Sequence, residues 1–163
     1  MNKPIFYFDK PGKWDLITIL LYLGLTAFIF LTRISTNMGW VFAYSIGKQF
    51  FIYFNYKSLR KFNIWLIWFL FSLMHLYIYR EFVNLPELQM PRGPAANGLQ
   101  FTWLLLVLFQ FLRFISAKIQ NQELVAPSQT GRDIWDNRKI TDVDGMLFFI
   151  YLVTMLLLNL TQL

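Results

Sequence analysis

Seventeen consecutive residues, from Leu16 to Thr32, carry no charge. As a helix at about 1.5 Å per residue they cover roughly 26 Å, close to the hydrocarbon thickness of a bilayer. Lipid offers no partner to backbone N–H and C=O groups, so a run of this kind must satisfy them internally as a helix. Trp14 and Arg33 flank the run and complete a crossing. Comparable runs follow at 62–80, which holds Trp65, Trp68 and His75, at 99–117 and at 145–163. The sequence therefore predicts an all-α, polytopic integral membrane helical bundle in a single membrane domain over 1–163.

One segment decides how many helices cross. The stretch 39–56, GWVFAYSIGKQFFIYFNY, is long enough to span but carries Lys48 near its middle. If it lay on the surface, the chain would have four spans plus one interfacial or re-entrant helix. Lys and Arg would then divide ten against five between the two sides. If it spans, eleven fall on one side and three on the other (Arg33, Arg80 and Arg92), with Lys48 on neither. Positive charge collects on the cytoplasmic side of membrane proteins, which favours the second count. An interfacial helix would also show one strongly polar face, and here aromatic residues lie all round. The expectation is five spans, at about 14–33, 39–56, 62–80, 99–117 and 145–163. The N-terminus is then cytoplasmic and the C-terminus outside, with an outer loop at 81–98 and a cytoplasmic loop at 118–142.

The segments between the runs agree. The first run follows a basic tail and has no small-residue cleavage site after it, so it reads as a retained helix. Pro86, Pro91, Pro94, Gly93 and Gly98 make 83–98 a non-helical segment. Thr141 and Asp144 stand at capping-box spacing before the last run. Only 15% of residues are charged, too few to cover a soluble domain of this size. The net charge of +6 sits at the ends of apolar runs, which argues for topology signals and against a nucleic-acid partner. With no Cys, disulfides, thiolate metal sites and catalytic thiols are excluded.

Few polar groups remain to carry function. An ammonium such as Lys48 within a span must snorkel, or meet an acidic group, an anionic lipid or a ligand. No Asp or Glu lies within the core of any predicted span, Asp15 and Glu81 standing at helix ends, so an intramembrane charge contact with a partner is the sharper reading of Lys48. Gly39, Ala43 and Gly47 recur every fourth residue beside it. They offer a helix-packing face, with Gly24 and Ala27 of the first span as the expected neighbours. His75, the only histidine, is a hydrogen-bonded structural residue, with Ser72 and Tyr79 one turn away, or a cofactor-binding ligand to a haem or pigment. Gln110 and Asn159 are expected to bond between helices, and Arg113 to snorkel. In the cytoplasmic loop Arg132, Trp135, Asp136 and Arg138 form a candidate partner-binding surface.

Nucleotide-binding, hydrolase and metalloprotease motifs are all missing, as is any pair of carboxylates at catalytic spacing. The expectation is a non-enzymatic subunit or scaffold of a larger membrane complex, contacting other membrane protein subunits and the lipid bilayer, with no cofactor. Alternatives are a small oligomeric transporter or channel with Lys48 lining its pathway, and an electron-transfer subunit using His75. A bacterial inner membrane is the expected location, with an organelle inner membrane as the alternative.

Overall fold

A computed structural model describes residues 6–31, 37–91, 93–127, 131–133 and 138–160. Its elements are helices α1 (Lys13–Leu31), α2 (Met38–Phe54), the single turn α3 (Tyr56–Leu59), α4 (Phe62–Phe82), α5 (Thr102–Gln120) and α6 (Asp142–Leu160). Between α4 and α5 lie two 3-10 turns and a two-stranded hairpin, β1 (Gln89–Met90) with β2 (Gly93–Pro94). Three helical stretches among the described residues are long and apolar enough to cross a membrane: Phe62–Phe82, Asn97–Gln120 and Asp142–Leu160. This makes an all-helical chain compatible with a membrane protein.

Apolar side chains face outward as well as into the core. Leu20, Leu21, Leu70, Phe111, Phe149 and Leu157 are all more than half exposed, whereas Ser45, Gln49, Ser116 and Asp144 are fully buried. Apolar side chains turned outward along four helices are at home in lipid, and polar groups turned inward can bond between helices.

Local chemistry fixes the helix ends. Asn37 caps α2, its side chain accepting from the N–H groups of Gly39 (3.1 Å) and Trp40 (3.3 Å). Asn121, at φ 52°, ends α5 in the left-handed conformation that asparagine tolerates. The capping box at the start of α6 forms in both directions: Asp144 N–H donates to Thr141 Oγ1 (3.2 Å) and Thr141 N–H to Asp144 Oδ2 (3.1 Å). Arg138 and Gln120 also donate to Asp144, at 2.5 and 3.0 Å, and so tie both ends of the long loop to α6.

The central core joins α2, α4, α5 and α6 through Tyr53, Trp68, Phe109, Leu112 and Tyr151. The loop at 81–98 is more than a connection. Leu88, Ala95, Ala96 and Leu99 are buried against Ile29, Val41 and Ile78 in a second core, so this segment plugs one end of the bundle. Gly98 fits only because it lacks a side chain, since a Cβ there would meet Ser45 Oγ and stand 2.7 Å from Gln49 Nε2.

At the opposite end the N-terminal tail returns to the bundle. Phe62 N–H donates to the Tyr7 carbonyl (2.9 Å), and Lys61 forms an ion pair with Asp15 (2.8 Å). Arg113 does not snorkel as the sequence suggests. It is 1% exposed and grips Glu123 with two parallel bonds of 2.7 and 2.8 Å, while its third nitrogen reaches the Arg60 carbonyl. A planar fork with a carboxylate in reach gains more from pairing than from stretching toward water.

Candidate functional site

Lys48 projects from α2 into a layer of aromatic rings. Its Nζ lies 3.6 Å from the centre of the Tyr22 ring, with Tyr44, Phe51 and Trp68 at 5.2, 5.8 and 5.9 Å. The residue is 9% exposed. Ring faces carry negative charge, and a desolvated cation–π contact is worth about 2 kcal/mol. The ammonium also has three N–H donors, and ring faces are poor acceptors. Among the described residues no carboxylate pairs with it. The charge is tolerated by the cage and not neutralised.

Directly behind the cage stands His75, 3% exposed. Thr102 Oγ1 donates to the Leu99 carbonyl (3.0 Å), so its oxygen accepts from His75 Nδ1 at 2.9 Å. That assignment makes Nε2 the acceptor, facing the hydroxyls of Tyr22 and, at 3.3 Å, Tyr44. Thr26 closes the set at 2.6 Å from the Tyr44 hydroxyl. One cluster thus joins α1 (Tyr22, Thr26), α2 (Tyr44, Lys48), α4 (Trp68, His75) and α5 (Thr102).

The expected structural partners of His75 are replaced. Ser72 bonds the Phe69 carbonyl of its own helix, and the groups on His75 come from three other helices. The haem or pigment reading finds no free ring nitrogen: an iron ligand would have to displace Tyr22 or Thr102.

The close α1–α2 contact predicted from the small residues is not formed. Gly39, Ala43 and Gly47 are exposed, and a Cβ at Gly47 or Gly24 would meet nothing within 4 Å. Ala27 instead lines a hollow with Met74 and Tyr77 of α4. The physical reason is the cage. The Tyr22, Tyr44 and Lys48 side chains fill the space between α1 and α2 and hold the backbones apart. A groove of about 330 Å³ is left, lined by Leu21, Leu25, Ala43, Gly47 and Lys48 among others and bounded by Trp14. Trp14 Nε1 is anchored to Asn55 Oδ1 at 3.3 Å.

A second polar set joins α2, α6 and the segment before α5. Gln49 donates to the Gly98 carbonyl (2.6 Å) and accepts from Asn159 (2.7 Å), and Tyr151 donates to the Gln49 carbonyl (2.7 Å). Gln110 donates to the Leu59 carbonyl at 2.8 Å. These inter-element bonds are the ones expected of Gln110 and Asn159.

Of the candidate partner-binding loop, Trp135 and Asp136 lie outside the described residues. Arg132 is exposed and its backbone forms an isolated bridge with Lys139. Arg138 donates within the chain to Asp144 and Gln122. Tyr22, Thr26, Tyr44, Phe51, Trp68 and Thr102 were not marked as site residues by the sequence. A phenol or hydroxyl inside an apolar run is the available signal for Tyr22, Thr26, Tyr44 and Thr102, and Phe51 and Trp68 offer none. No protein-family model, no curated protein and no solved structure matches this chain.

Proposed function

We propose that this chain is a five-span integral membrane protein acting as a non-catalytic subunit or scaffold of a larger membrane assembly. Lys48 carries the reading. Insertion of a lysine near the centre of a spanning helix costs about 2.5–3.5 kcal/mol, and the cage offsets about 2 of that. What remains is a caged cation with unused donors beside an open apolar groove. A chain that folded for itself alone would do better with Leu or Met at that position.

Two observations support α2 as a span in this reading. The N-terminal tail, the α2–α4 connection and the end of α5 meet at one end through Tyr7, Asp15, Lys61 and Arg113. The plug of the outer loop packs on Val41 near the other end of α2. At 17 residues, α2 is at the lower limit for a crossing helix. With eleven basic residues on the tail side, that side is the cytoplasm, and a bacterial inner membrane is the proposed setting.

Purification from native membranes in a mild detergent tests the subunit reading. A second polypeptide in fixed stoichiometry is the expected result. A lone monomer, with no co-eluting chain under several detergents, would remove it.

A further inference from the structure

We propose that the groove between α1 and α2 seats one transmembrane helix of a different protein, which sets an Asp or Glu carboxylate against Lys48. This rests on the subunit reading above and names the partner's chemistry.

The ammonium is the first argument. Lys48 is nine-tenths buried, lines the groove and pairs with no carboxylate among the described residues. An acceptor carrying negative charge is the occupant that completes it. The groove floor is the second. Ala43 and Gly47 line it on an exposed strip of α2 that Gly39 continues one turn earlier, and a Cβ built at Gly47 would meet nothing within 4 Å. Small residues at this spacing let a second helix backbone come close. Here the strip, the charge and the open space coincide.

Other sources of the carboxylate fit less well. A second copy of these residues brings none to this depth, because 16–80, 88–122 and 145–163 contain no Asp or Glu. Asp15, at the edge, is already paired with Lys61. A lipid headgroup would have to descend. Lys48 is seven residues before Asn55, or roughly 10 Å along the helix, and Asn55 holds Trp14 across that end of the groove. Helical side chains lean toward their own N-terminus, which here aims the lysine stem away from the nearer surface.

The test places a photoreactive residue at Ala43 in the full chain, in its native membrane, with Phe111 on α5 as the control position. The expected product from Ala43 is an adduct with another polypeptide whose spanning segment contains Asp or Glu. Its yield should fall at least tenfold with Lys48→Met and persist with Lys48→Arg. Gly47→Leu, which fills the groove but keeps the charge, should abolish it as well, and an unchanged elution profile shows that each variant folds. An adduct only with lipid, a partner segment lacking Asp and Glu, or a yield indifferent to Lys48→Met overturns the proposal. A polypeptide that co-purifies while Ala43 forms no adduct with it overturns the groove and leaves the subunit reading standing. If neither a co-purifying chain nor an adduct is found, both fall.

Discussion

The Lys48 ammonium sits 3.6 Å above the centre of the Tyr22 ring, and the hydroxyl of that ring is bonded to His75 Nε2. One side chain of α1 therefore stabilises a cation on α2 and satisfies an acceptor on α4. This makes Tyr22 the hinge pin between the peripheral helix and the bundle.

The two roles of Tyr22 separate by substitution. Tyr22→Phe keeps the ring and should cost about 1 kcal/mol, because Tyr44 still faces His75. Tyr22→Leu loses ring and hydroxyl and should cost about 3 kcal/mol. In a Lys48→Met background the Leu cost should shrink by about 1–2 kcal/mol, the cation–π share. Unfolding of the purified protein in detergent measures the cycle. A coupling indistinguishable from zero would mean that the cage does not hold the charge.

A second contrast concerns two glycines. Gly98→Ala drives a methyl into Ser45 and Gln49 of α2, and overpacking of this kind costs about 1–3 kcal/mol. Gly47→Ala meets only open space and replaces a poor helix former, so a gain of about 0.5–1 kcal/mol is expected. Melting temperatures of the two variants should move in opposite directions. Equal losses at both sites would show that the groove is closed in the isolated protein.

The sequence and the structure agree where one run of residues is enough to decide. The uncharged stretches, the Thr141–Asp144 box and the bonding of Gln110 and Asn159 were all readable locally. The Lys48 site was only half readable. A charge inside an apolar run announces itself, but Tyr22, Tyr44 and His75 lie on three helices whose relative rotation no single run encodes. Gly39, Ala43 and Gly47 mark a packing face without naming its neighbour, for a related reason. Small residues permit close packing, and bulky neighbours such as Tyr44 and Lys48 decide whether it happens. The proline-rich 83–98 segment reads only as a non-helical loop because composition reports what cannot be helix, and says nothing of what is buried. Likewise Arg113 met Glu123 through a chain reversal that hydropathy does not see.

Arg113 and Glu123 give a third prediction. Glu123→Ala strips the partner from a guanidinium that is 1% exposed. Losing one member of a buried pair costs about 3–5 kcal/mol. The carboxylate is itself 32% exposed, which admits water and brings the expected loss to about 2–3 kcal/mol. Arg113→Lys should recover little, because an ammonium cannot reproduce two parallel bonds and a third to the Arg60 carbonyl. Thermal unfolding decides this, and full stability of the Lys variant would show that charge alone matters there.

The position of α2 can be settled by cysteine labelling, since the natural chain contains no Cys. A charged maleimide should reach a cysteine at Lys10 only from the cytoplasm and one at Glu87 only from outside. Cysteines at Ala43 and Gly47 are exposed on the isolated chain yet face lipid or a partner helix in the five-span arrangement, so neither side should label them. An α2 lying on the surface predicts the reverse, because residues on its polar side would contact water along the whole helix. Labelling of 41–54 throughout from the cytoplasm would remove the second crossing. It would also place Lys48 at an interface, where its charge costs little and calls for no carboxylate.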